Sequence, residues 1–409
     1  MRRVIISGCG PVSAIGVGRA AFWQAVEAGV DGLGESPLFA NASGRTHLAA
    51  ELIGFKVDPY LPSPKAYLDR SSEIAFAGVS LALRDAALDL ATVDRRRVGL
   101  SLGTALGSLG TAATYFSDLV HKGPRLVKPI LFPHTYSNTA ISLLAIDYRI
   151  EGVHLNFANG MVSAAQAILA GADGIRRGQA DVVIAGGFDA LSSAAACGYD
   201  RLGCLSPAAG VGEECMAPFD SARNGFVLGE GAGIVILESL DHALARGAQV
   251  LGELLGGGAA GDGGDAPAAG CGLRNATARA MQAAMAEAGL QPETVAAVFA
   301  HANGSPVGDL HEGLGIQDAL GPAAATVPVT STKPMAGETL GAGAGLQLIA
   351  ALQALATGAL PATLNTTRID PRLALDLAME THTLTQPSPI LINARDPGGA
   401  AVCLAAGRP

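Results

Sequence analysis

A layered α/β fold is predicted by three observations. Strand-like runs alternate with amphipathic, alanine-rich stretches along the whole chain. Hydrophobic residues make up 49% of the 409 positions and charged residues only 15%, which suits a large buried core and excludes disorder. The 54 glycines supply the tight turns such a fold needs. The first element is the strand Val4–Ser7, a β-branched run halted by Gly8, Gly10 and Pro11. Helices are expected over Ala20–Ala28 and Ser72–Leu88, then a strand over Val98–Leu102 and a helix beginning near Leu109. His154–Phe157 gives another strand, followed by a sharp elbow and a long helix through Ser163, Ala164 and Ala165. Asp181–Ala185 runs into Gly186 and Gly187 as a strand, and Gly233–Leu237 and Val298–His301 complete the alternation.

Charge and composition exclude several classes of function. A net charge of −9 argues against nucleic acid as a general partner, because phosphate binding needs a clustered positive surface. The short basic run Arg95-Arg96-Arg97 follows Asp94 and is expected to be a solvated turn. Mean hydropathy is +0.34, yet the apolar stretches are expected to break before the roughly 20 residues of a spanning helix, so no membrane segment is predicted. Met1-Arg2-Arg3 leads into glycines and proline with no signal-peptide core, which makes the cytoplasm the expected compartment. The six cysteines show neither metal-ligand spacing nor disulfide density, and are expected to be reduced and mostly buried.

The run Gly256–Asp265 has the composition of a flexible loop and marks a division near residue 255. The elbow at Ala158-Asn159-Gly160 is the position of greatest chemical interest. A residue there faces the unpaired N–H groups of a helix N-terminus, which lower the pKa of a thiol and favour developing negative charge. Asn159 cannot act as that nucleophile, and Asn is among the best helix N-caps, so a capping role is expected of its side chain.

The ordered motifs of the chain resemble those of the β-ketoacyl-ACP synthases, or ketosynthases, from end to end. Arg2–Val12 resembles their opening strand and turn, and Ala217–Asp220 with Asn224–Gly233 resembles their central signature. Gly308-Asp309 and Ser331–Met335 fit as well. The resemblance implies a thiolase-like fold with a duplicated α/β/α/β/α layered core. Its halves, residues 1–255 and 256–409, would share one core, the second containing the helix Asn275–Ala288 and the closing strand Pro389–Asn393. The repeat itself is not visible in the sequence.

Condensing ketosynthases use a cysteine that carries the acyl chain, two histidines that hydrogen-bond the thioester oxygen as the enolate forms, and an orienting lysine. The resemblance places Asn159 at the cysteine, His301 at the first histidine, Lys333 at the lysine and Glu338 at the second histidine. Two gating phenylalanines of the closing loop are replaced by Arg395 and Pro397. A carboxylate at 338 opposes a developing enolate, so no functional catalytic set is expected. His301 then reads as a structural remnant and Lys333 as a partner of Glu338, with Glu312 joining the network. Cys197 and Cys204 are poor replacement nucleophiles, since neither stands at an elbow of the right kind.

Leu109, Ala112, Ala113 and Phe116 recur at i, i+3, i+4, i+7 on one helical face. The resemblance makes this helix, with Leu131 in the segment Lys128–Pro133, the wall of an acyl tunnel near a subunit interface; the alternative is an ordinary buried helix. Cysteine-less chains of this type that pair with a catalytic ketosynthase and shape the tunnel are chain length factors, whose usual residue at 159 is glutamine. A chain length factor implies a heterodimer with a ketosynthase, contact with an acyl carrier protein bearing a growing polyketide or polyene chain, no cofactor, no metal and no membrane. The alternatives are a malonyl-ACP decarboxylase using His301 and the Asn159 amide, and a purely structural homodimer.

Overall fold

The computed structural model describes residues 2–39, 45–207, 213–262, 273–384 and 389–409. Among these, twelve strands form one sheet, and eleven of them run in a single order. They are β1 Val4–Ser13, β2 Val98–Gly103, β3 His154–Phe157, β4 Val182–Asp189, β5 Gly231–Ser239, β6 Gly252–Gly261, β7 Ala297–Phe299, β8 Pro328–Thr330, β9 Asp376–Leu377, β10 Ile390–Arg395 and β11 Ala400–Gly407. Across the sheet the order is β9-β8-β7-β10-β11-β6-β1-β5-β4-β2-β3. The first half reads 3-2-4-5-1 from the outside in, and the second, inside the additional edge strand β9, reads 8-7-10-11-6. The two strings are the same topology, with β1 corresponding to β6, β2 to β7, β3 to β8, β4 to β10 and β5 to β11. The duplication implied by the sequence motifs is therefore present in the strand order, and the layered thiolase-like fold is confirmed. The halves meet edge to edge where Ile5 and Ile6 of β1 pair with Glu253 and Gly252 of β6.

Eight of the helices position the core: α1 Arg19–Glu27, α2 Arg70–Asp85, α3 Leu109–Lys122, α4 Thr139–Tyr148, α5 Ser163–Arg176, α6 Leu273–Ala288, α7 Pro306–Leu320 and α8 Gly343–Thr357. The amphipathic α2, started by Asp69 accepting from the Ser72 N–H, covers β1, β4 and β5 from outside. On the other half α6 covers β6, β10 and β11, and α7 packs against α6. Between the halves lie α5 and α8, which touch each other and strands of both halves.

Three expectations change against this architecture. Gly256–Gly261 is not a loop but the second part of β6, paired with β11; Gly263, Gly264 and Asp265 lie outside the described residues. Its glycines serve packing, because a side chain at Gly256 or Gly258 would meet the α6 backbone and one at Gly257 would meet Leu169 of α5. The division expected near residue 255 thus falls within a strand. Secondly, Leu340–Thr357 is long and apolar enough to cross a bilayer, a run passed over in the sequence. It is 83% buried as the core helix α8, with its apolar surface spent on both halves. The basic run is a turn, as expected: Arg95–Arg97 form a 3-10 turn with no buried residue, in which Arg96 pairs with Asp94, Arg97 donates to Asp181 and to the Gly178 carbonyl, and Arg95 to that of Tyr148. Thirdly, the thiols are less buried than expected. Cys9, Cys197, Cys204, Cys215 and Cys403 are free thiols, of which only Cys9 and Cys403 are buried; Cys271 lies outside the described residues.

The seating of α8 on β5 leaves no room for side chains. A Cβ on Gly345 would overlap the Gly233 backbone, and one on Gly233 would overlap the backbone of Gly345 and Leu346. Gly345→Ala is expected to destabilise the protein by about 1–3 kcal/mol, the usual cost of overfilling a packed site. Urea unfolding followed by circular dichroism measures it, and an unchanged midpoint would show that the contact is slack.

Candidate active site

Strand β3 delivers the chain to Asn159, whose backbone (φ −116, ψ 42) turns it into a single 3-10 turn, Gly160–Val162, that continues as α5. The Ser163 hydroxyl holds the elbow, accepting the Asn159 N–H at 2.9 Å and lying 2.7 Å from the Gly160 carbonyl and 3.0 Å from that of Thr104. The capping role expected of the Asn159 side chain is absent. Its amide is exposed and swings along α5 to donate to Gln166 Oε1 at 2.6 Å. The helix N–H it leaves is taken by another residue: Met161 donates to Asp396 Oδ2 at 3.0 Å.

His301 follows β7 and is pinned from α7, where Glu312 accepts the His301 and Ala302 N–H groups at 2.7 and 2.8 Å. Asp309, one turn earlier, accepts from Phe219, Asn303 and Gly304 at 2.9–3.1 Å. Both carboxylates are buried, and burial raises both above the usual carboxylate range. Lys333 reaches the imidazole from the start of a short helix, with Nζ 3.0 Å from Nδ1 and 3.3 Å from Nε2. Its shortest bond goes to Glu338 Oε2 at 2.6 Å. That carboxylate is fully engaged: Oε2 also accepts from Asn303 Nδ2 at 2.8 Å, and Oε1 from the Leu340 N–H at 2.9 Å.

Burial holds the His301 imidazole well below its ordinary pKa, and the neighbouring Lys333 and Arg395 cations push the same way. It is therefore neutral, and the Arg395 N–H, 3.3 Å from Nδ1, marks that nitrogen as the acceptor. Burial likewise lowers Lys333, against the pull of Glu338. Arg395, expected only as a lost aromatic, points inward to the Gly308 carbonyl and lies 3.8 Å from Glu312. Two cations thus meet three carboxylates in a water-poor cluster. An enolate here would find one neutral imidazole with Glu338 only 3.6 Å from its Nε2.

A cavity of about 310 Å³, within the range of small-ligand pockets, opens beside this cluster. Met161, Cys204, Phe226, His301, Asn303, Asp396 and Pro397 are among its walls. The structure brings His301, Lys333 and Glu338 into direct contact, as the motifs imply, but leaves Asn159 outside the cavity wall on the exposed elbow. Glu312 joins through backbone N–H groups and Arg395, without an ion pair to Lys333. Cys204 does line the cavity, yet burial raises its thiol, which disfavours the thiolate a nucleophile needs.

Leu109, Ala112, Ala113, Phe116 and Leu131 lie elsewhere. Ala113 and Phe116 are exposed, and Leu109, Ala112 and Leu131 are partly covered. Val120, Leu126, Ile130, Phe132 and Tyr136 are exposed beside them. The rings of Phe116, Tyr115, Phe132 and Tyr136 follow one another at 5.4–5.7 Å across this surface.

Two residues that matter were not singled out in the sequence. Asp189 ends β4 and gathers four donors: Thr104 Oγ1 at 2.6 Å and the N–H groups of Ala105, Leu106 and Gly341 at 2.7–2.9 Å. Burial pushes this carboxyl up to about 6. A lone carboxylate closing the run Val182–Phe188 was the available signal. Asp396 stands between Arg395 and Pro397, and its side chain reaches the elbow.

Comparison with known proteins gives the family. Residues 1–243 match the model of the β-ketoacyl synthase N-terminal domain and residues 251–367 that of its C-terminal domain. The chain belongs to the β-ketoacyl synthase family. The 3-oxoacyl-[acyl-carrier-protein] synthase 2 of Staphylococcus aureus (strain COL) is 33% identical over 327 residues, covering 79% of this chain and 78% of that protein. The structure of the ishigamide ketosynthase/chain length factor superposes with a TM-score of 0.93 at 28% identity, covering 100% of this chain and 99% of the other. A type II polyketide synthase acyl-carrier protein in complex with its ketosynthase bound to the hexaketide gives 0.88 at 26% identity, with both chains fully covered.

In this member of the family the Lys333–Glu338 pair is buried on both sides, so removal of one partner strands the other charge. Glu338→Gln is expected to cost about 3–5 kcal/mol, and Glu338→Gln with Lys333→Met to recover most of that loss. Thermal and chemical unfolding of the three proteins tests it; a double variant no better than the single one would show that the charges act independently.

Proposed function

We propose that this β-ketoacyl synthase homologue is a non-condensing chain length factor. It forms a heterodimer with a catalytic ketosynthase and shapes the space in which an acyl-carrier-protein-bound polyketide or polyene chain grows. The observation that carries this reading is the state of the reaction centre. The elbow offers an exposed amide tied to Gln166 in place of a thiol, and the lysine is consumed by Glu338 at the position of the second histidine. A decarboxylase needs two donors on the enolate oxygen; this centre offers one beside a carboxylate. The exposed aromatic strip around Phe116 and Phe132 is of the kind that marks an interaction surface, which supports a partner on this side of the helix. The compartment expected with this role is the cytoplasm.

Two measurements test the reading. Labelled acyl-carrier protein incubated with the isolated chain should leave no label that survives denaturation, and light scattering should give a 1:1 complex when the chain is co-expressed with a ketosynthase encoded beside it. A stable homodimer that ignores that ketosynthase would overturn the heterodimer. In the intact heterodimer Phe116→Ala is expected to lengthen the product and Ala112→Phe to shorten it, as read by mass spectrometry of carrier-bound chains. Unchanged length in both, with activity retained, would assign chain measurement to the partner alone.

A further inference from the structure

We propose that Asp396 is a built-in anion that occupies the anion slot at the start of α5, closing it to any external carboxylate, enolate or thioester oxyanion. The slot is made by the backbone. The 3-10 turn Gly160–Val162 runs directly into the 14 residues of α5, so a long column of peptide dipoles presents its positive end at the elbow, with its first N–H groups free of helical partners. Asp396 Oδ2 takes one of them, from Met161, at 3.0 Å. Gly160 has a φ of +64, and a side chain there would occupy the space of the Asp396 carboxylate. The glycine therefore makes room for the carboxylate as well as for the turn.

The other side of the contact is equally specified. Asp396 sits in the turn between β10 and β11, where its Oδ1 accepts the Gly398 N–H at 2.8 Å, its own N–H goes to Ala400 at 2.9 Å and its carbonyl accepts from Gly399 at 3.0 Å. These bonds fix the turn and aim the carboxylate at the helix. The carboxylate also forms part of the rim of the 310 Å³ cavity. Its partner N–H, that of Met161, is two residues from position 159, so a thiolate placed there would compete with a resident anion for the same dipole. Asp396 is thus a residue that sets what charge the elbow can hold, through contacts separate from the Glu338 cluster.

The test uses N159C, N159C/D396N and N159C/D396S in the full chain. Iodoacetamide labelling at residue 159 is followed by peptide mass spectrometry from pH 5.5 to 9.5, and circular dichroism confirms each fold. The introduced thiol of N159C is expected to titrate above the ordinary cysteine value of about 8.5, and both double variants are expected to lower that midpoint by about one unit, or about tenfold in rate at pH 7. Coincident profiles for N159C and N159C/D396N would overturn the proposal. So would a shift confined to D396S, which would point to loop distortion and not to charge. Light scattering of D396N with the ketosynthase separates this inference from the heterodimer reading: loss of the complex in the wild-type chain leaves the thiol profiles unaffected, and coincident thiol profiles leave the complex unaffected.

Discussion

Two apolar helices must lie side by side between two half-sheets with no water among them, and this constraint organises the chain. α5 and α8 can fit only if their backbones come within contact of the strands, which is why Gly233 faces Gly345 and why a Cβ on Gly103 would overlap Ser163. Each helix must also leave its strand abruptly, through a turn that reverses into the layer. Asp189 ties the loop after β2, through Ala105 and Leu106, to the turn before α8, through Gly341. The start of α5 joins the same loop by a separate bond, from the Ser163 hydroxyl to the Thr104 carbonyl.

The charged cluster around His301 depends on the same frame. Its members come from five places: the segment after β7, α7, the short helix Lys333–Ala336, the segment after it that carries Glu338, and the end of β10. Removing such charges from water is costly, and the arrangement is tolerable because nearly every polar atom has a partner. Arg395 Nε and Asn393 Oδ1 are left without one. The cluster is consequently a structural unit as much as a chemical remnant. Every bond that neutralises Lys333 also removes it from any reaction.

Much of this was legible in the sequence. Val4–Ile6, Val98–Leu102 and Val182–Ala185 announced strands because fully buried strands are continuous apolar runs closed by glycine. His301, Lys333 and Glu338 were placed together by their motifs, and the structure puts them in contact. The failures have physical causes. β6 was hidden because its glycines are selected by the proximity of α6 and Leu169, which no local pattern reports. Asn159 was expected to cap its helix, but capping depends on the side-chain rotamer, and Gln166 two turns on captures the amide. Asp396 was overlooked between two lost aromatics, since its partner Met161 lies 235 positions away in sequence.

The duplicated topology gives the elbow at Gly160 a twin at Leu340. Both residues have left-handed backbones, with φ of +64 and +51, and both begin a 3-10 turn leading into a central helix. Leucine bears a steric penalty of about 1–2 kcal/mol in that conformation, which glycine avoids. A non-glycine residue held there shows that the bend is demanded by the way the helix enters its layer. The bend is kept by the way the core packs, independently of any reaction. Side chains at the elbow can therefore vary while the architecture that would host a reactive group is preserved by folding alone.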